Sequence, residues 1–329
     1  MTVSLDPRAG IVAGYRPIGG IIPRHWQVGD ITANGITQRY YRTGGAKPPL
    51  VLLHGIMEGA LAWLPTARVL EAEYDVVMLD ARAHGHSGRV EGDFGSDTLA
   101  EDVVGALQCL GLSGVRLLGF SLGATTAAWV ADRHPELVHS LVLAGLAKSG
   151  SSDASGESGT AGAIGDAPGY QAWLSAYTAW LEGLKGQIHA QRMLSGLTQL
   201  PPGAPLPQEE EYVAWIENCA LLDLELVRMS GKLWSRLGPT VAATDAAIAR
   251  LACTTLIMKS GFGQYSSGAL ELREERGAVP GRLNITVLHF ENTGHVIYRD
   301  RFDAFVEQVR AFFGRDRTGH SYSIAANQV

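Results

Sequence analysis

The chain has 329 residues, 46% of them hydrophobic and 18% charged, with 27 Lys and Arg against 33 Asp and Glu for a net charge of −6. This is the composition of a well-cored globule, and its scattered basic residues give no footprint for nucleic acid or an anionic membrane. No apolar run nears the roughly 18 residues of a membrane span, the start MTVSLDPRAG shows no leader pattern, and the distant Cys109, Cys219 and Cys253 suit free thiols in a reducing, cytoplasmic setting.

In chain order, residues 1–26 are rich in Gly and Pro, lack periodicity and read as an irregular N-terminal arm. QVGDITANG and ITQRYYRTGG alternate polar and apolar positions around Asn34-Gly35, a hairpin signal. PLVLLHG is apolar at every position before its His, the pattern of a strand covered on both faces. A helix near Leu61–Glu73, the strand DVVMLD and a helix near Thr98–Leu110 follow. Thr98 and Glu101 spell a capping box, Leu99, Val103, Leu107 and Leu110 share one face, and Gly111 is the stop. Strand VRLLGF, helix Gly123–Arg133 and strand LVHSLVLAG continue an alternation that implies a parallel sheet with crossover helices.

Lys148–Gly169 is a Gly/Ser/Ala-rich stretch with too little apolar surface to offset its ordering entropy, so it reads as a flexible loop or lid hinge. Tyr170–Leu237 returns to helical periodicity, with Trp173, Tyr177, Trp180, Trp215 and Trp234, interrupted by Pro201-Pro202-Gly203. The strands resume with CTTLIMKSG and NITVLHF, and a last helix near Arg301–Phe313 precedes a loose polar tail. The expected organisation is a core of 27–145 and 245–314, a loop and helical cap over 146–244, and a tail over 315–329.

Gly119-Phe120-Ser121-Leu122-Gly123 reads G-x-S-x-G between a buried strand and a helix. In that context a sharp turn holds the Ser121 hydroxyl at the carboxyl edge of the sheet. A side chain at either glycine would strike a neighbouring strand or helix, and the helix N-terminus favours developing negative charge. A serine needs a base. His295, in ENTGHVIYRD, follows the last strand and precedes the last helix, in a loop that opens at the same sheet edge. His54-Gly55-Ile56-Met57-Glu58-Gly59 directly follows a buried strand. Such a turn can aim the backbone N–H of Ile56 at a substrate oxygen, with the N–H of Leu122 as its partner. Glu58 could face the pocket as an acid or base, although surface exposure is the expectation. The cap tryptophans are expected in the core rather than as a substrate shelf. His84 and His86 form H-x-H without a third ligand at a plausible spacing, so no metal is expected.

These elements, in this order, resemble the α/β-hydrolase family over roughly Val28 to Phe313. The runs NGITQRYYRTGG, PPLVLLHG, YDVVMLDARAHGHSG, GFSLGATTAAWVADRHPELV and GHVIYRDRFDAFVEQVRAFF carry the likeness. The resemblance implies an α/β fold, a mostly parallel doubly wound sheet with an inserted helical cap. It also implies Ser121 as nucleophile, His295 as base, no cofactor, and a bracing role for Asp80 and the ARAHGHSG loop. A serine at 121 separates the chain from the Asp-nucleophile branches of the family, the usual epoxide hydrolases and haloalkane dehalogenases.

The family's third triad member, an acid that holds the His tautomer, is expected after the strand that follows the elbow or after the next one. Those places read LVLAGLAKSG and LIMKSGFGQYSSG, with Ala144-Gly145 and Gly263-Gln264 and no carboxylate. Three explanations stay open. A displaced acid could act, from Asp153 or Glu157 on the loop or Asp223 or Glu225 on the cap. A Ser–His dyad could operate, with His295 oriented by a backbone carbonyl or by Gln264, Ser266 or Ser267. The site could also do something other than hydrolysis. The expected function is hydrolysis of a carboxylic ester, lactone or activated C–C bond in an apolar or aromatic small-molecule substrate, without metal or cofactor. The alternative is a lyase, a cyclase, a cofactor-free oxygenase or a ligand-binding protein.

Overall fold

A strand that is apolar on successive residues needs cover on both faces, because its side chains alternate. The computed structural model describes residues 8–89, 94–146, 168–200, 206–227, 242–260, 271–275 and 283–315, and it meets that demand with two separate cores. Leu50 and Leu52 of β3 (Pro49–Leu53), Val76 and Met78 of β4 (Asp75–Leu79), and Leu118 and Phe120 of β5 (Val115–Phe120) enter one core. Their neighbours Val51, Leu53, Val77, Leu79, Val115 and Leu117 enter the other. Each such side chain, fully buried, contributes about 1.5–3 kcal/mol relative to an exposed one.

These three strands run parallel with β6 (Val138–Ala144), β7 (Thr254–Ser260) and β9 (Ile285–Glu291). The hairpin β1 (Gln27–Ala33) and β2 (Ile36–Arg42) turns at Asn34-Gly35, both at positive φ, and joins β4 antiparallel. β8 (Glu271–Glu275) lies antiparallel to β9 at the other edge, a strand the charged run ELREE does not announce. Charge on an edge strand discourages pairing with other chains, which accounts for its unstrandlike composition. Among the described residues the order is β1-β2-β4-β3-β5-β6-β7-β9-β8. β3 thus has β4 on one side and β5 on the other, and the crevice beyond the carboxyl ends of β3 and β5 is the switch point where such sheets place their sites.

Helices α4 (Ser96–Cys109) and α5 (Leu122–Arg133) cover one face, while α3 (Leu64–Leu70) and α10 (Phe302–Arg315) cover the other. The expected capping box at Thr98 and Glu101 does not form. Gly95 adopts the extended N-cap conformation three residues earlier, no side chain caps the helix, and Glu101 meets His134 at 3.4 Å instead. The segment read from the sequence as a cap contains α6 (Pro168–Lys185), α7 (His189–Leu197) and α8 (Glu209–Leu221). Most of the Gly/Ser-rich stretch, together with Trp234 and residues 316–329, lies outside the described residues. Among the described residues no helix is long and apolar enough to cross a membrane.

The arm is more ordered than its composition suggests. α1 (Ala9–Val12) and α2 (Ile18–Ile21) each close a helical turn, and Val12 and Ile21 are buried in the same core as Met193, Leu197 and Tyr212 of the cap. Arg16 holds Glu209 through its backbone N–H at 2.7 Å and its guanidinium at 2.9 and 3.1 Å. His189 Nε2 donates to Tyr15 O at 2.9 Å, and Tyr15 Oη donates to Pro207 O at 3.2 Å. One-turn helices carry no periodicity to read, and their order comes from packing on the cap. Ile21→Ala is expected to lower unfolding stability by about 2–5 kcal/mol, read as a lower urea midpoint with an unchanged slope.

Candidate active site

Ser121 joins β5 to α5 with φ 51 and ψ −113, a conformation L-residues rarely adopt. Its N–H donates to Ala144 O at 2.9 Å, and its carbonyl accepts the N–H groups of Ala124 and Thr125 at 3.0 and 3.1 Å. Both glycines of the motif are sterically required. A Cβ at Gly119 would stand 2.2 Å from Gly123 O, and one at Gly123 would stand 2.2 Å from Leu53 O.

His295 lies between β9 and α9 (Ile297–Asp300). The turn that carries it is fixed by Thr293 Oγ1 donating to Phe290 O at 2.7 Å and by Gly294 N–H donating to Asp300 Oδ2 at 2.7 Å. The imidazole packs on Phe120, the residue before Ser121, with ring centroids 5.0 Å apart. The structure therefore brings His295 beside the elbow. Burial lowers its pKa below the ordinary 6.5, and the carboxylates of Glu58 and Asp300 oppose that shift. Gly145, at the first place where an acid is expected, has φ 65, and a Cβ there would stand 2.7 Å from Phe120 Cε2 and 3.2 Å from His295 Cε1. Phe120 and the imidazole have taken the room that an acidic side chain would need. Gly263, Gln264, Ser266 and Ser267 lie outside the described residues.

The loop after β3 is braced by two histidines. His54 Nε2 accepts the N–H of Ala81 at 3.0 Å while its Nδ1 faces Gly55 O at 2.7 Å. His84 Nε2 accepts the N–H of Met57 at 3.3 Å while its Nδ1 faces Arg82 O at 2.8 Å. Because each Nε2 accepts from a backbone donor, both rings are neutral with the proton on Nδ1. Burial pushes the His84 pKa down to about 3. Asp80 accepts the N–H groups of Ala60 and His86 at 2.7 and 3.0 Å, and a Cβ at Gly85 would strike its carboxylate. Asp80 thus ties the loop after β4 to the turn at Ala60.

Glu58 departs from expectation. It is 7% exposed rather than at the surface. Its Oε2 accepts the N–H of Gly55 at 2.8 Å, and its Oε1 accepts the hydroxyl of Tyr298 and lies 3.3 Å from Arg299. Arg299 also reaches Glu211 on α8 at 3.4 Å. These partners, with Asp300, are what sequence reasoning missed, since YRD reads only as the start of a terminal helix. The signal available was an arginine and an aspartate within five residues of the candidate base.

Of the other candidate acids, Asp223 and Glu225 meet each other in a turn of the 146–244 segment. Asp223 donates its N–H to Ala83 O at 3.0 Å, and its Oδ1 accepts the N–H of Glu225 at 2.9 Å, so it closes a local turn of the cap. Asp153 and Glu157 lie outside the described residues. Tyr177, Trp180 and Trp215 are partly buried, and Trp180 and Trp215 stack at 5.9 Å. With Ile56 and Met57 they pack against a third apolar cluster between cap and sheet.

A family model described as alpha/beta hydrolase fold matches residues 48–202. N-formylmaleamate deformylase of Pseudomonas putida is 37% identical over 116 residues, 35% of this chain and 43% of that protein. 2-(Acetamidomethylene)succinate hydrolase of Mesorhizobium japonicum is 30% identical over 121 residues, 37% of this chain and 41% of that protein. The matches thus span less than half the length of these relatives. The structure of an N-formylmaleamic acid deformylase from Pseudomonas putida superposes with a TM-score of 0.63 at 20% identity, covering 86% of this chain and all (100%) of that one. An enol-lactonase from Burkholderia xenovorans gives 0.56 at 20% identity, over 87% and 100% of the two chains. At such identities the structural likeness is one of fold.

Two outcomes follow from the packing. Gly145→Asp, which puts an acid at a family position, is expected to lower the melting temperature rather than repair the site, with about 1–3 kcal/mol lost to the positive φ and the contacts on Phe120 and His295. The second concerns acid. His84 titrates near 6.5 when unfolded and near 3 when folded, so its stabilisation is complete above pH 6.5 and is lost as pH falls through that window. His84→Gln should remove up to about 1.4 kcal/mol per pH unit from the slope of stability against pH there, measured by urea unfolding between pH 7 and 4.

Proposed function

We propose that this chain, which belongs to the α/β-hydrolase fold family, is a cofactor-free serine hydrolase in which Ser121 attacks a carboxylic ester, a lactone or an activated C–C bond. The observation that carries this reading is the elbow, with Ser121 at φ 51 and the His295 imidazole packed on the adjacent Phe120. Strain of this kind is retained where a hydroxyl must stand clear of the sheet. His295 takes the serine proton as Oγ attacks and returns it to the leaving group.

The backbone N–H groups of Ile56 and Leu122 hold the oxyanion. In the loop after β3, the N–H groups of Gly55, Met57 and Glu58 are donated to Glu58 Oε2, His84 Nε2 and Gly55 O, which leaves Ile56 as the donor. Leu122 opens α5, where an N–H has no helical partner. Two fixed donors of this kind would lower the barrier by several kcal/mol, on the order of 3 or more. Where they reach the pocket, the aromatic side chains Tyr177, Trp180 and Trp215 of the cap, residues 146–244, favour a small-molecule substrate with a bulky apolar or aromatic acyl group. The free thiols of Cys109, Cys219 and Cys253 suit the cytoplasm.

Fluorophosphonate labelling tests the reading. Wild type is expected to label, Ser121→Ala not at all, and His295→Ala more slowly by about three orders of magnitude. The base must be neutral to act, and burial holds its pKa below 6.5, so the rate should stay on its plateau at pH 7 and fall only below pH 6.5. A folded wild type that takes no label would sink the hydrolase reading in favour of a lyase, cyclase, oxygenase or binding role.

A further inference from the structure

We propose that Glu58, seated in the loop after β3 and clamped by Tyr298 and Arg299, is the carboxylate that supports His295 in place of the acid missing after β6. This rests on the Ser121–His295 reading above and extends it to a residue that acts through the base. A buried carboxylate is costly unless every lone pair is answered. Glu58 is answered by the Gly55 N–H, the Tyr298 hydroxyl and the Arg299 guanidinium. Such provision on a loop beside the elbow is more than the loop needs for its own shape, since the His54 and His84 rings already brace it.

Carboxylate and base lie against the same aromatic ring. A Cβ at Gly55 would lie 3.0 Å from Glu58 Oε2 and 2.9 Å from Phe120 Cδ1, so carboxylate and ring crowd the same point. On that ring rest His295, at 5.0 Å between centroids, and Tyr298, at 5.1 Å. Glu58 and His295 border one aromatic side chain in a water-poor space, where charge acts over longer distances than in solvent. Among the described residues, the charges of Glu58 and of Asp300 of α9 favour the imidazolium of His295, against its burial. Around Glu58 itself stand Tyr298 and Arg299 of α9, Glu211 and Cys219 of α8, and Tyr177 of α6. One guanidinium shared by Glu58 and Glu211 leaves the cluster net negative, and an imidazolium at His295 offsets it. The same carboxylate orders Gly55 and so helps aim the N–H of Ile56. Glu58 is a positioning residue with an electrostatic role, not a group that touches substrate.

The test is the rate of fluorophosphonate labelling of Ser121 as a function of pH, in wild type, Glu58→Gln, Asp300→Asn and Arg299→Gln. Glu58→Gln keeps the shape and hydrogen-bonding reach but not the charge. Its acid limb should move to lower pH by about half a pH unit or more, because an anion that favours imidazolium is gone, and its plateau rate should fall about tenfold. Arg299→Gln removes a cation from the cluster and should move the limb the other way, while Asp300→Asn should move it less than Glu58→Gln. A lower plateau with an unmoved limb in Glu58→Gln would mean that Glu58 only holds Gly55, and overturns the proposal. A shift confined to Asp300→Asn overturns it too. If Glu58→Gln does not fold, Arg299→Gln decides alone, and an unmoved limb there is fatal. Wild type that takes no label, or label that survives Ser121→Ala, defeats the hydrolase reading itself, a failure recognisable before any limb is compared.

Discussion

At Gly123 a Cβ would stand 2.2 Å from Leu53 O, and at Gly119 a Cβ would stand 2.2 Å from Gly123 O. The end of β3, the end of β5 and the first turn of α5 thus share a space with room for hydrogens alone. Much else depends on this contact. It forces the chain to reverse in one residue, which lifts Ser121 to positive φ, and it delivers the His54-Gly55 turn beside that residue. Beside the two strand ends, the loop after β9 sets His295 over Phe120 and against Gly145.

Features set by short-range backbone demands were legible in the sequence. The two glycines around Ser121, the His-Gly after an all-apolar strand and the Asn34-Gly35 hairpin each state a local requirement that few residues satisfy. What could not be read was set at long range. Glu58 looks like a surface residue until Tyr298 and Arg299, some 240 residues later, close over it. The capping box at Thr98 was locally plausible and lost to Gly95, whose extended backbone starts the helix earlier. ELREE had no apolar alternation to report, because an edge strand takes its order from β9.

Three histidines stand near the site, and their surroundings sort them. His54 and His84 each have Nε2 accepting a backbone N–H and Nδ1 facing a carbonyl, so they work as fixed neutral struts between the loops after β3 and β4. A ring with both nitrogens committed to backbone has no proton to exchange with a substrate. His295 sits in a turn fixed by Thr293, Gly294 and Asp300, with its face on an aromatic ring. Sequence context singled out His295 as the base, and the backbone partners of the His54 and His84 nitrogens mark those two rings as scaffold.

The arm that fastens the cap has a consequence for how the chain is made. Arg16 and Glu209 are 193 residues apart. At ordinary rates of synthesis roughly 10–40 s pass between the appearance of one and the other. Val12 and Ile21 share their core with Met193, Leu197 and Tyr212, which are made only late in that interval or after it. The arm's share of that core can therefore be completed only once the later helices have been made.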